Sequence, residues 1–534
     1  MKRKVLIIII SFLYVAFGYS QTYENPIITG MNSDPSVCRV GNTFYLTTSS
    51  CGYFPGIPIF KSSDLINWEL IGHCITRTEQ MDFLDMSINA GLWATTIRYH
   101  NGTFYVICTH MKENRNFIVT TTNPAGKWSD PMYLDTKGFT YDPSLYFDDD
   151  GKVYFNYASG EGTNVIKMSE IDIKTGKILT QPKDIWYGGG GFGAEGAHIY
   201  KINNFYYIIS AEGGNVNQAV ALGRSKNIYG PYQLSPTNPI VSNKENRQYL
   251  FQCTGHGDLI QYPDNSWWLI VHGLRNYGGF DALYTVLGRE VILLPVTWKD
   301  NWPTVYDNKP VTRKIDHKGI AAKKTNIPFE DDFTSSKLKL GWYFQRHPAT
   351  ELWKIDTIKS QLVIQGNEND IDSQLKKVFI GKKQDLEWGK LQVKWSFDAQ
   401  LASEEAGITF FMNENHHYDC FITKGITSYN LVLRRKYEDI TYTQFVLPLD
   451  KPMATIEVIT NPWAYEYFLV TEKGERVFIG KMSNNAVTLH VAGGFIGVMI
   501  GMYSTGNGQK CKNPAFFDYF KYSEMPNLVP NFKQ

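Results

Sequence analysis

Four ionisable residues stand at equivalent points of a recurring pattern: Asp34, Asp142, Glu195 and His256, with Ala94 at the fifth. Each lies eleven or twelve residues ahead of an aromatic marker. Two carboxylates across a pocket, one ionised and one protonated, are the minimum kit for glycosidic bond hydrolysis. A third carboxylate beside the acid would raise its pKa by like-charge repulsion. Asp34 and Asp142 precede Pro35 and Pro143, which biases both toward an extended backbone. Glu195 sits in Gly193-Ala194-Glu195-Gly196-Ala197-His198, where small neighbours leave room for a bulky ligand. The competing reading is that these residues cap loops or bind calcium.

The elements that must position them form a repeat. It reads Asp34-PSVCRVGNTFY, Ala94-TTIRYHNGTFY, Asp142-PSLYFDDDGKVY, Glu195-GAHIYKINNFY and His256-GDLIQYPDNSWW. Each unit is a strand, a polar turn (Gly41-Asn42, Asn101-Gly102, Asp150-Gly151, Asn203-Asn204, Asp264-Asn265) and an aromatic strand. The markers Tyr45, Tyr105, Tyr154, Tyr206 and Trp268 are 60, 49, 52 and 62 residues apart. Units of this length suit β-propeller blades, and five of them predict five blades. Innermost strands line the channel of such a disc, so the four ionisable groups would converge at one face. Gly188, Gly190 and Gly193 match a GxGxxG fingerprint, but a strand follows where a dinucleotide fold needs a helix.

Composition bounds the rest. The 534 residues carry 53 basic and 52 acidic side chains, a net +1, which gives no footprint for nucleic acid. Lys2, Arg3 and Lys4 precede an apolar run from Val5 to Phe17 and small residues near Ser20. Residues 1–20 read as a signal peptide, too short to span a bilayer. The mature chain is then periplasmic or extracellular, with no membrane attachment. Seven scattered cysteines without CxxC spacing or a Cys/His ladder leave a zinc site unsupported, and no metal site is assigned. They read as small buried apolar groups. Residues 21–302 hold the propeller. Residues 303–328, with three prolines and no convincing strand, read as a linker. Alternating segments between 329 and 534, one of them starting at Phe495, predict a separate β-sandwich. The glycine-rich stretch Gly501-MYSTGNGQ reads as a loop able to reach over a neighbouring pocket. The fold class is all-β, a five-bladed propeller followed by a jelly-roll sandwich.

Asn32-Ser33-Asp34-Pro35-Ser36, Tyr141-Asp142-Pro143-Ser144-Leu145 and Ala194-Glu195-Gly196-Ala197-His198 resemble the three acidic motifs of glycoside hydrolase family 43. Asn25-Pro26-Ile27, Thr254-Gly255-His256-Gly257-Asp258 and Leu287-Gly288-Arg289-Glu290 resemble it too. The resemblance implies an inverting enzyme acting on a carbohydrate substrate, releasing β-D-xylose or α-L-arabinofuranose. It implies Asp34 as general base, Glu195 as general acid and Asp142 as the residue tuning that acid. Arg289 would hydrogen-bond a sugar hydroxyl, and Trp93 would offer a stacking face. His256, in the channel floor, would donate a hydrogen bond or face the water shell of a structural calcium ion, as in some relatives. No other cofactor is implied. Two departures, Trp93-Ala94-Thr95 and Cys51-Gly52-Tyr53-Phe54-Pro55-Gly56, touch the subsite walls. The C-terminal part resembles the module appended to many members, where a carbohydrate-binding module, a lid and a packing domain stay open. The rival readings are a fructan-type glycosidase and a non-catalytic glycan-binding propeller.

Overall fold

Hairpins build the N-terminal half, and their turns show why. Asn101-Gly102 and Asn203-Asn204 both take left-handed φ values (48° and 83°, 50° and 62°). That geometry matches the right-handed twist of the strands they join. The computed structural model describes residues 22–160, 164–214, 217–278, 283–317 and 327–525; the leader at 1–20 lies outside them. Blade I comprises Ser36–Val40, Thr43–Thr47, Gly56–Ser62 and Glu69–Ile75. Blade II comprises Leu92–His100, Thr103–His110, Arg115–Thr121 and Met132–Tyr133. Blade III runs from Thr140–Phe147 through Val153–Ser159 to Val165–Asp172, which carries two short outer pieces. Blade IV runs from Glu195–Ile202 to Gln233–Leu234, and blade V from Phe251–Gln261 to Trp302–Val305. All neighbours are antiparallel, and the first strand of each blade is innermost.

The disc is closed by its own ends. Thr22–Glu24 pairs with Lys314–Asp316, and Ile28 bridges Val291 of blade V. Two strands therefore lie where the sequence showed none: Trp302–Val305 completes blade V, and Lys314–Asp316 pairs with Thr22–Glu24. Short edge strands carry too few alternating residues to register as a period-2 pattern.

Two eight-stranded antiparallel sheets form the C-terminal half. They are not separate from the disc. Tyr53–Phe54, from the loop between the second and third strands of blade I, forms the edge of one sheet by pairing with Tyr343–Gln345. Phe54, Phe83 and Leu92 of the propeller share one buried cluster with Phe344, Ile380 and Met499 of the sandwich. Burying the Phe54 side chain stabilises the junction by roughly 1.5–3 kcal/mol. Polar ties reinforce it: the Arg346 N–H donates to the Gly52 carbonyl at 2.7 Å, and Glu387 takes Arg275 at 2.7 Å and both arms of Arg313 at 2.9 and 3.0 Å. Hydropathy read segment by segment cannot show that the two halves share a buried cluster.

All seven cysteines are buried. Among the described residues no helix is long and apolar enough to cross a membrane.

Candidate active site

The innermost strands break where they meet the pocket. Asp34, Asp142, Gly196 and His256 have φ values of 55°, 51°, 56° and 42°. The ladders slip at Tyr141/Ser144, Glu195/His198 and Gly255/Gly257. Bulges of this kind re-aim side chains at functional sites. The extended backbone expected for Asp34 and Asp142 is therefore not adopted. Proline penalises the right-handed helical well before it; the left-handed one costs roughly 1–2 kcal/mol per residue, a strain the surrounding packing holds and that aims each carboxylate. Glycine at 196 is required for a second reason. A Cβ there would come within 2.5 Å of the His256 ring.

Asp34, Trp93, Ala94, Tyr141, Asp142, Glu195, His256 and Arg289 line one pocket of about 70 Å³. Polar atoms of Asp142, Glu195 and His256 lie within 4.8 Å of one another. Asp34 and Asp142 both approach His256 Nδ1, Asp142 Oδ2 at 3.8 Å. Asp34 Oδ1 is 3.4 Å from His256 Nδ1, 3.1 Å from His272 Nδ1 and 3.6 Å from Arg289 Nη1. Its Oδ2 accepts from Ser49 Oγ at 2.5 Å. Glu195 Oε1 accepts from Gln218 Nε2 at 2.9 Å. Trp93 meets Tyr141 and Phe495 edge to face, with centroids 6.5 and 5.4 Å apart.

Phe495 is the site residue that sequence reading missed. An expected strand beginning at Phe495 starts instead at Met499, and Phe495 lies in a turn facing the pocket. The glycine-rich stretch at 501–509 does not reach the pocket. Its first half is strand Met499–Thr505, and Asn507 donates to the Ser403 carbonyl within the sandwich. Phe495 arrives because backbones touch. A Cβ on Gly497 would meet the Leu287 carbonyl at 2.6 Å, and Val498 N–H donates to Val286 O at 2.8 Å. That seam runs beside Arg289, whose guanidinium lies 5.7 Å from the Phe495 ring centre.

The carboxyl groups are driven apart electrostatically. Burial would raise the Asp34 pKa, but His256, His272 and Arg289 together hold it well below the usual carboxylate range. Burial lowers His256 to about 3 and His272 to about 4. Both are neutral near pH 7, which leaves Arg289 as the cation sustaining the Asp34 charge. Burial lifts Glu195 to about 7, with Asp34 adding to the rise and Arg289 and Gln218 opposing it. Asp142 is raised well above its ordinary value by burial, then by Glu195 and Asp34. Glu195 and Asp142 are raised together, by burial first and by the carboxylates around them. Asp142 and Glu195 titrate as a pair sharing protons.

Residues 23–303 match the model of glycosyl hydrolases family 43. The chain belongs to this family. Residues 330–523 match the beta xylosidase C-terminal concanavalin A-like domain. Over 97% of this chain and 98% of the relative, the sequence is 38% identical to a non-reducing end alpha-L-arabinofuranosidase of Bacteroides ovatus. A beta-xylosidase of Bacillus subtilis is 28% identical over 94% of this chain and 99% of its own. Among solved structures, the family 43 protein designated Xyloglucan PUL GH43B of Bacteroides ovatus superposes with a TM-score of 0.89 at 36% identity, covering 95% of this chain and all of that one. A xylan beta-1,4-xylosidase of Bacillus halodurans gives 0.86 at 28% identity, covering 94% and 100%. The protein is a family 43 glycosidase, an inverting hydrolase of carbohydrate.

Whether the channel suits the calcium ion of some relatives depends on what already fills it. Beneath His256, the Asp258 carboxylate accepts from Ser36 Oγ at 2.6 Å, Val37 N–H at 3.1 Å, Arg98 Nη1 at 2.7 Å and Tyr200 Oη. His198 Nδ1 is 3.0 Å from it. A guanidinium supplies the positive charge, and the carboxylate has little acceptor capacity left. Calcium takes six to eight oxygen ligands, so these residues do not fit it. The trio Asp142, Glu195 and His256 offers few oxygens, and one is already engaged by Gln218.

Proposed function

We propose that this family 43 enzyme is exported and removes single terminal pentose units, α-L-arabinofuranose first and β-D-xylose as the second reading. The observation carrying it is the small pocket closed over by Phe495 and Trp93. A small pocket walled by two aromatic rings suits a terminal unit rather than a threaded chain. The arabinofuranosidase relative at 38% identity favours the first sugar. The beta-xylosidase relatives, less similar to this chain, favour the second.

In the proposed roles, Asp34 is the general base. Its low pKa keeps it ionised, and it takes a proton from the attacking water. Glu195, held protonated up to about pH 7, gives its proton to the leaving oxygen. Asp142 sits against Glu195 and His256, keeping the pair protonated by burial and mutual repulsion. Arg289 stabilises the Asp34 charge from 3.6 Å and lines the pocket beside the sugar. Inversion needs room for water, so the two working carboxyls should stand roughly 6.5–9.5 Å apart.

Kinetics on a panel of aryl glycosides, with NMR of the first-formed anomer, tests this. The expected result is turnover of arabinofuranosides above xylosides with inversion at the anomeric carbon. Retention would reverse the role assignments, and preference for a hexoside would remove the pentose reading.

A further inference from the structure

A backbone amide can only donate, and one such group sets the direction of a buried line of hydrogen bonds behind Glu195. The Asp34 N–H donates to His272 Nδ1 at 3.0 Å. Nδ1 is therefore bare, and the neutral ring carries its single proton on Nε2. Nε2–H meets Gln218 Oε1, which leaves the amide nitrogen turned toward Glu195. Gln218 Nε2 donates to Glu195 Oε1 at 2.9 Å. Gln218 is 1% exposed and His272 is fully buried. We propose that Gln218 and His272 are positioning residues that reserve Glu195 Oε1 as an acceptor, so that the acidic proton sits on Oε2. The proposal rests on the role of general acid given above to Glu195.

The line runs one way because its first member cannot reverse. A primary amide has one donor end and one acceptor end. Turned over, the Gln218 amide would set its N–H groups against Nε2–H of His272, donor against donor. The carbonyl oxygen of a carboxylic acid also accepts better than its hydroxyl oxygen. Ionised or protonated, Glu195 therefore keeps Oε1 on the amide, and Oε2 gains and loses the proton. The arrangement is the same before and after turnover, so the acid recovers its proton at the same oxygen in every cycle. A carboxyl free to protonate on either oxygen would hold the proton on the wrong one for part of the time.

His272 stays neutral in this role, since burial lowers it to about 4. Asp34 Oδ1, 3.1 Å from the same bare nitrogen, turns to Arg289 at 3.6 Å. Asp34 of blade I, Tyr141 and Asp142 of blade III, and His256 and Arg289 beside blade V also face Glu195. Their charges and burial act on the carboxyl as a whole. The Gln218 N–H holds one oxygen, and by favouring the ionised form it also opposes the rise that burial causes.

The test uses the full chain, ¹⁵N-labelled at histidine, with His272 assigned by the signal lost in His272→Phe. Long-range ¹H–¹⁵N spectra should show the Nε2–H tautomer at every pH from 5 to 9. An Nδ1–H tautomer, or one that changes with pH, overturns the line. Kinetics read its consequence. Gln218→Met removes the donor to ionised Glu195, so the alkaline limb should move up by about half a pH unit or more. On substrates whose leaving group needs a proton, kcat should fall roughly tenfold, part of the roughly 10²–10⁴ that general acid catalysis supplies. On dinitrophenyl glycosides it should fall far less. An equal fall on both classes with the limb in place means a packing role only and overturns the proposal. If Gln218→Met does not fold, the isosteric Gln218→Glu, which accepts from Nε2–H but brings no N–H to Glu195, decides by the same two readouts. Failure of the acid reading itself would show separately: Glu195→Gln would lose every substrate alike while the His272 tautomer stayed Nε2–H.

Discussion

The channel of the propeller carries two charge clusters, one above the other, built from much the same residue types. In the lower one a single carboxylate, Asp258, is met by Arg98, Ser36, Tyr200, His198 and a backbone N–H. In the upper one three carboxylates share Arg289, Ser49, Gln218 and two histidines that are neutral at pH 7. Donors suffice below, so the charge is fixed and the cluster is structural. Above they fall short, so protons must be shared and the pKa values separate. The ratio of donors to carboxylates, rather than residue type, distinguishes the reactive end from the inert one.

The largest break of that contrast comes from the upper cluster. Asp34→Asn should cost roughly 10⁴-fold in kcat on every glycoside, because nothing else there can activate water. Steady-state assays across leaving groups check it; a spared substrate would move the base elsewhere. Glu195→Gln should cost roughly 10³-fold on substrates needing protonation and far less on dinitrophenyl glycosides. In the wild type the same proton sets the alkaline limb. Glu195 is raised to about 7, so activity is present below that pH and lost as pH rises through it. The depressed Asp34 places the acid limb below the ordinary carboxylate range.

The lower cluster should fail differently. Arg98→Met leaves Asp258 charged and buried without its cation, at a cost of about 3–5 kcal/mol in stability. Denaturant unfolding reads this, and the folded fraction should keep both limbs of its pH profile. Because the Asp258 pKa is lowered, its contribution holds above the unfolded value of roughly 3.9 and fades as pH falls. A shifted alkaline limb in Arg98→Met would show that the two clusters are one. Phe495→Ala should raise KM by roughly tenfold, about 1.4 kcal/mol, with kcat nearly unchanged. The smallest effect expected is that of chelation: EDTA should alter neither Tm nor activity, since Arg98 already supplies the cation beneath His256.

Much of this was legible in the chain. The turn residues at Asn101-Gly102 and Asn203-Asn204 require left-handed φ whatever surrounds them, so the hairpins and their repeat follow from local sterics. Strand starts repeating at blade length place Asp34, Asp142, Glu195 and His256 together by symmetry alone. Phe495 carried no comparable signal: its place depends on the seam of Gly288 and Gly497, more than two hundred residues apart in sequence. Gln218 and His272 were equally silent, since a glutamine before a strand and a histidine within one look like ordinary sheet residues.

Turn chemistry and period-2 alternation act over a few residues, so the blades, their number and the converging carboxyls could be read along the chain. Packing in three dimensions brings Tyr53–Phe54 into the sandwich, Phe495 to the pocket and Arg98 into the channel. It also decides which carboxyl stays ionised. That depends on burial and on donors from different blades within a few ångströms, and Coulomb interactions follow distance in space rather than along the chain.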